Sequence, residues 1–489
     1  MDLKRSLIVH ALAISTICLT ASEVRANASE DVFGVGTRSI SLAGAGTATA
    51  RDFSATYYNP ANLALCKRHQ LSVGVQQIFN ELGTDVDVSQ LPTVEDPFNP
   101  GQTITDPQLV PIEPENRTRI HLGVCIPLPA KLALGVLLNL GIQDTVGADP
   151  NTVAENPRFF AYGSEMDTLT MQLALAYRPF RWLSIGLGAS ILANIKVGSV
   201  LAFSITSDDP SDSNVLIRAK LEPRIAPIAG IYVSPIPELE FGLTFRGKLD
   251  SRLTVPSFVN ASSGAISIEA TLLADGRIWH SPNQLAFGVA GRPIDSLLLT
   301  VDITWYQTSK NPGPFIEAIS IGDVLGGEVL FPPLEDFGFR DIFVPRFGVE
   351  YLLLAHDALA LRGGYMFRPW SAAVPGSSDA CQAAAQDPGT AACRANLLDN
   401  SSHWISIGAG YTFRLGAKPK ADGDPGDPGG LEVSDTRTEL TIDAFFRAGI
   451  FQERRVSRTE PPAEVPYLRD YNYGGQIYDL GGTVTLAWR

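Results

Sequence analysis

The chain has 489 residues with 38 basic and 52 acidic side chains, a net charge of −14. That balance leaves no basic surface to neutralise phosphates and excludes nucleic acid as a partner. Mean hydropathy is slightly positive at +0.08 with only 18% charged residues, yet beyond residue 28 no uninterrupted apolar run reaches the roughly 18 residues of a transmembrane helix.

In chain order, the first element is a targeting segment. Lys4 and Arg5 precede a mostly apolar run from Ser6 to Thr20, and a short polar stretch ends in Ala26-Asn27-Ala28. A positive start, an apolar middle and a small-x-small end mark a secretory signal peptide over residues 1–28, with cleavage before Ser29. An uncleaved membrane anchor is the alternative reading, and the apolar run is short for it. Cys18 follows the bulky Ile17, where a lipoprotein site needs a small residue. A secreted chain this apolar, with no membrane helix, suits a β-barrel whose strands show lipid with every second residue.

Residues 29–68 are rich in Gly, Ala, Ser and Thr, with Gly34-x-Gly36-x-Arg38, Gly44-x-Gly46 and Asn59-Pro60-Ala61 as their landmarks. Small residues let backbone pack closely in a confined lumen, glycine admits positive φ, and Asn-Pro starts a turn. Neither glycine pair has the third glycine of a dinucleotide fingerprint, so a phosphate cradle is disfavoured. Phe33, Phe53, Tyr57 and Tyr58 offer either apolar ligand contact or, more ordinarily, packing against a wall.

From His69 the pattern changes to period two: Leu71, Val73 and Val75 alternate with Ser72, Gly74 and Gln76. Similar runs are predicted near 117–127, 131–144, 165–179, 182–204, 214–234, 238–257, 265–291, 296–308, 342–355, 357–368, 402–415, 435–451 and 475–488, about fourteen strands in all. An even count is what a single-chain bacterial barrel requires. Short turns fall at 127–131, 179–181, 234–237, 292–295 and 355–357, several of them on proline, which presets φ where no ladder donor is needed. Long loops near 81–116, 145–164, 309–341, 369–401 and 452–474 alternate with them. Short connections on one side and long ones on the other are the loop asymmetry of outer-membrane barrels. The fifth to eighth strands exceed the 9–11 residues that cross a membrane and are expected to project beyond it. Their polar residues Arg218, Lys220, Glu222, Arg224, Arg246 and Lys248 face either the lumen or water outside the bilayer. The connection at 422–430 is acidic and glycine-rich, read as a flexible linker in preference to a calcium loop.

Four cysteines follow the targeting segment, permitting three pairings in a compartment where disulfides persist. Cys381 and Cys393 share one loop and are the local choice, leaving Cys66 with Cys125. Cys66 precedes the first strand and Cys125 ends the second, so antiparallel neighbours bring them to the same rim.

The N-terminal pattern, Gly34-x-Gly36-x-Arg38, then Ala43-Gly44-Ala45-Gly46, Asp52 and Tyr57-Tyr58-Asn59-Pro60-Ala61, resembles that of FadL/TodX-type outer-membrane transporters. The segments Ser281–Val289, Val301–Trp305, Phe347–Tyr351 and Leu361–Tyr365 are similar to later parts of the same family. The resemblance implies an all-β, fourteen-stranded transmembrane antiparallel barrel over 69–489, plugged by a hatch at 29–68. It also implies passive, hatch-gated uptake of long-chain fatty acids or aromatic hydrocarbons across the outer membrane by a monomer seated in lipid. Exit through a gap in the wall near the third strand is part of the same implication. Gly135 and Gly141 are candidates for a wall kink there, and also ordinary barrel glycines. Such a transporter needs no catalytic group, cofactor or metal. A general diffusion porin is the alternative function, against which the plug-like segment argues. An enzyme is disfavoured: no serine nucleophile signature is present, and His280 and Ser281 are adjacent in a strand and so point to opposite faces. No ligand-contacting residue is assigned, since the family's contact regions do not align.

Overall fold

In the computed structural model the described residues are 29–87, 93–95, 103–105, 114–142, 157–162, 169–204, 214–263, 266–311, 316–324, 327–331, 338–353, 358–375, 377, 396–416, 438–457 and 470–489. The signal peptide, Cys381, Cys393, His356 and the acidic connection at 422–430 lie outside them.

Fourteen strands form the wall: β1 (His69–Thr84), β2 (Arg117–Leu128), β3 (Leu132–Gly141), β4 (Thr170–Phe180), β5 (Leu183–Ser204), β6 (Asn214–Ile236), β7 (Leu239–Arg246, resuming as Leu249–Ser263), β8 (Ile266–Ser281, resuming as Gln284–Ile294), β9 (Leu297–Tyr306), β10 (Ile342–Leu353), β11 (Leu359–Arg368), β12 (Ser402–Leu415), β13 (Thr438–Ser457) and β14 (Asp470–Trp488). Each pairs antiparallel with its sequence neighbours. The circle is closed by β1 against β14, in register from His69↔Trp488 to Thr84↔Tyr473. Closure leaves no free edge in the described fourteen-strand wall, which a membrane-spanning sheet could not tolerate.

The alternation is inverted relative to a soluble protein. On β1 Leu71, Val73 and Val75 are exposed while Ser72 and Gln76 are fully buried. The same holds on β9, where Leu299, Val301 and Ile303 face out and Thr300, Asp302 and Thr304 face in. A wall that is apolar outside and polar inside is stable only with lipid as its outer solvent.

Four expected loops contain more ladder than the sequence reading allowed. The β13–β14 pairing continues past a bulge from Arg454↔Tyr473 to Ser457↔Asp470, inside the predicted loop at 452–474. Tyr471, Tyr473 and Val456 on that extension are buried in an apolar cluster at the far end of the lumen, so burial holds the extra ladder. Within 309–341, Ile316–Val324 and Gly327–Phe331 are strands, the former pairing with β8. Within 145–164 and 369–401, Arg158–Phe159 and Leu397–Leu398 form a two-residue parallel ladder. The long strands are as expected, β5 and β6 spanning 22 and 23 residues. Of their polar residues, Arg246 is buried in the lumen, whereas Lys248 is exposed and Arg224 half-buried. Arg218, Lys220 and Glu222 lie where only the backbone is described.

Residues 29–66 run inside the barrel as short turns of helix, α1 (Ser29–Phe33), α2 (Thr37–Ser41), α3 (Ala55–Tyr58) and a 3-10 turn Pro60–Leu65. Pro60 opens the 3-10 turn where its missing N–H costs nothing. Nearly every residue of this segment is buried, although helices this short have no stability of their own. The wall supplies it.

Candidate functional site

The wall meets the luminal segment through glycines. A Cβ on Gly186 would fall on the backbone of Pro60 and Ala61, one on Gly242 on the Thr47 carbonyl, and one on Gly364 on the Leu42–Ala43 peptide. Gly230 is filled in the same way by Asn59, Gly348 by Leu42 and Gly408 by Ser41. Glycine here serves close backbone approach. Within the segment, Gly34, Gly36 and Gly44 have φ of 73°, 74° and 81°, the left-handed region that only glycine enters freely. Gly46 instead makes room for the Tyr58 ring.

Polar contacts complete the docking. Arg38 holds Glu350 of β10 in a fork, at 2.9 and 2.8 Å, and donates to the Thr49 carbonyl at 2.8 Å. Arg362 of β11 reaches the same carboxylate at 2.7 Å. Burial opposes the charge on Arg38, but Glu350 outweighs it and the guanidinium is held charged more firmly than usual. Asp302 of β9 accepts the Thr47 N–H at 2.8 Å. Asn59 donates to the carbonyls of Thr47 and Ile231 at 2.9 and 3.0 Å and accepts the Ala61 N–H at 3.0 Å. At the other end of the segment, Glu30 accepts from Asn139 at 2.7 Å and also from Thr170. Asp31 accepts from Ser281 at 2.8 Å and from Tyr57 at 2.7 Å. Burial pushes the Tyr57 and Tyr58 phenols above their usual values, so both remain hydroxyls at neutral pH.

The segment is also tied covalently. Cys66 is bonded to Cys125 on β2, with Cα atoms 6.6 Å apart. Gly135 of β3 packs against Thr56 and Leu63. Gly141 is the last residue of β3, opposite Arg119. The β3 register runs unbroken from Leu132↔Leu128 to Gly141↔Arg119 on one side and from Leu132↔Tyr177 to Asn139↔Thr170 on the other.

Between α1, Tyr57, Tyr58 and the wall lies a cavity of about 20 Å³ whose mixed lining includes Arg246, Arg346, Arg447, Ile40 and Met366. A second, of about 30 Å³, lies beside Glu30, Asp31 and Gln172. Each has room for a water or two. His280 and Ser281 have separate partners, Asp250 and Asp31, and both are buried.

The segments Ser281–Val289, Val301–Trp305, Phe347–Tyr351 and Leu361–Tyr365 thus converge on one place. Ser281, Gly288, Asp302, Gly348, Glu350, Arg362 and Gly364 either touch the luminal segment or brace a residue that does. The outer membrane protein transport protein family (OMPP1/FadL/TodX) matches residues 18–380.

The chain belongs to this family.

Its barrel accordingly sits in the bacterial outer membrane. Among solved structures it is similar to a Pseudomonas aeruginosa FadL homologue, 15% identical, covering 95% of this chain and 99% of that one, TM-score 0.51. It is similar also to the Pseudomonas putida toluene transporter TodX, 13% identical over 94% and 100% of the two chains, TM-score 0.47. At such identities the likeness is one of fold. No curated protein matches the sequence.

Sequence reasoning singled out Arg38 but not its partner Glu350, and the glycines of the luminal segment but not the wall glycines that meet Leu42, Thr47 and Pro60. A signal was present: Asp302 and Glu350 are charges flanked by apolar residues inside strands, and period two sends such a charge into the lumen.

Proposed function

We propose that the chain carries hydrophobic small molecules, long-chain fatty acids or aromatic hydrocarbons, passively across the outer membrane, with residues 29–68 as a hatch. The observation that carries the reading is the docking of the segment. It fills the lumen, yet most of its attachments to the wall are exchangeable hydrogen bonds and ion pairs of about 1 kcal/mol net each. Covalent attachment is confined to Cys66, so residues 29–54 are free to shift around a fixed end.

An apolar cargo is supported by the lumen beyond α1, where Phe33, Tyr306, Trp404 and Phe451 belong to one buried cluster. Lateral exit beside β3 is supported by the small residues there. Gly135 meets Thr56 and Leu63 of the hatch, and Ala133, Ala174 and Ala176 share a buried cluster with Leu63, so withdrawal of those two side chains would leave a gap lined by methyl groups. The unbroken β3 ladder means that a ligand leaving there must part the strands locally. The porin reading is disfavoured by residues 29–66, which run inside the barrel and are nearly all buried there.

Uptake of radiolabelled oleate and toluene into proteoliposomes tests the reading, with ion conductance measured on the same preparation. Saturable uptake of either compound with low conductance is expected, and Arg38→Ala should raise conductance several-fold. High conductance in the unaltered protein with uptake of neither compound would favour the porin.

A further inference from the structure

At the end of the wall that bears the long loops, the lipid face of β7 to β10 stops along one line. Phe245 pairs with Leu285, Leu285 with Trp305 and Trp305 with Phe343, a single cross-strand row over four strands. Phe245, Leu285 and Phe343 are exposed, so the row belongs to the outward face. A polar row follows immediately. The Lys248 N–H, in the break of β7, donates to the Asn283 side chain at 2.8 Å. Asn283, in the break of β8, donates to the Gln307 side chain at 2.9 Å, and the Trp305 indole to Asp341 at 3.0 Å. Aromatic side chains mark the interfaces of membrane barrels, which puts this polar row at the level of the lipid headgroups.

Three exposed cations stand on it, Lys248, Lys310 and Arg340, in a chain of net charge −14. Lys310 is held there by its N–H bond to the Gln307 carbonyl at 3.3 Å, and Arg340 by its main-chain bonds to Ser371 and Thr308. The carboxylates beside them are engaged. Asp341 also accepts the Ser309 N–H at 3.0 Å, and Asp250 is shared between His280 and Lys248, the latter at 3.6 Å. Among the described residues the Arg340 side chain donates only to the Trp370 carbonyl, at 3.2 Å. Its guanidinium lies on the Trp370 ring, and Arg454 lies 4.8 Å from the same ring. Partial burial and then the Arg454 charge pull the Arg340 guanidinium below its usual pKa, with Asp399 offsetting them only in part. A cation so placed lacks an adequate counter-ion.

We propose that Lys248, Lys310 and Arg340 bind the phosphates of a multiply phosphorylated glycolipid of the outer leaflet, whose acyl chains lie on the row of Phe245, Leu285, Trp305 and Phe343. Lysine and arginine make strong charge-assisted bonds to phosphate. Lys248 on β7 and Arg340 at the start of β10 are three strand spacings apart, about 14 Å. One phosphate cannot span that distance, whereas a headgroup bearing two can. The apolar row directly beneath favours an acylated ligand over a free anion. The inference needs only a wall in the outer membrane and is independent of the hatch reading.

Binding of radiolabelled diphosphorylated lipid A to the immobilised, detergent-solubilised full chain tests it, with heat-modifiable gel mobility confirming a folded barrel. A cation at the membrane surface contributes about fivefold, so Lys248→Gln, Lys310→Gln and Arg340→Gln together should weaken binding by roughly two orders of magnitude. Lys131→Gln, an exposed lysine in a short turn at the opposite rim, should leave it within about twofold. Lipid A stripped of its phosphates should bind the wild type no better than the triple variant. Raising the salt concentration about tenfold should weaken the wild type severalfold and the triple variant little. Inorganic phosphate and phosphatidylglycerol micelles, each at matched concentration, should fail to displace the lipid A. A folded triple variant with wild-type affinity overturns the proposal, as does an equal loss in Lys131→Gln. Displacement by inorganic phosphate would make this a site for a free anion, and displacement by phosphatidylglycerol a site for any acidic lipid; either result contradicts it.

Discussion

Asn59 shows how much one side chain does at the hatch. Its amide joins the Thr47 carbonyl, the wall carbonyl of Ile231 and the Ala61 N–H, all with Asn59 fully buried. Asn59→Ala leaves Thr47 with Asn62 at 3.2 Å but strands the Ala61 N–H and removes the bond to the wall, at a cost of about 2–3 kcal/mol in hatch docking. Hydrogen exchange across 45–62 should quicken by one to two orders of magnitude while the β1–β14 ladder keeps its protection. Gly242 makes the complementary point from the wall. Its Cβ position is taken by the Thr47 carbonyl, so Gly242→Val must push the hatch out of its seat. The expected result is a barrel that assembles normally but conducts small ions in planar bilayers several-fold better than wild type.

At the scale of elements, the Cys66–Cys125 bond closes a loop over a separation of 59 residues that comprises the end of the hatch, β1 and most of β2. Chain-entropy arguments give such a link about 4 kcal/mol. Cys66→Ser is expected to lower the thermal midpoint of the barrel and to make the hatch accessible to protease from the rim that bears the short turns. Resistance to protease in both forms would show that noncovalent docking alone anchors the segment. The strands were legible in the sequence because alternation survives intact in runs such as Leu71–Gln76 and Val301–Trp305, where lipid and lumen impose opposite demands on successive residues. The Cys66–Cys125 pairing was legible from the same topology. The short ladders at 158–159 and 397–398, and the extension of β14 back to Asp470, were not. Two-residue strands carry no period, and the outward reach of β14 depends on Tyr471 and Tyr473 meeting partners distant in the chain. The wall glycines were visible but mute, since only the docked hatch explains why Gly186, Gly242 and Gly364 lack side chains.

For the molecule as a whole, the account is of a closed wall solvated by lipid outside and by its own N-terminal segment inside. The hydrophobic effect drives the outer face, while the inner face is a polar interface assembled from nearly every strand. Such an interface is stable in aggregate and breakable in parts, which is what a gate requires. The most direct test is to remove that freedom. Thr37 of α2 and Thr483 of β14 are buried with hydroxyls 2.7 Å apart, so Thr37→Cys with Thr483→Cys places a disulfide between hatch and wall. Oxidised, the double variant should lose at least nine-tenths of hydrophobic uptake in proteoliposomes. Mild reduction should restore it, with wild type treated alongside to control for Cys66–Cys125. Undiminished uptake through the oxidised, locked barrel would contradict hatch gating.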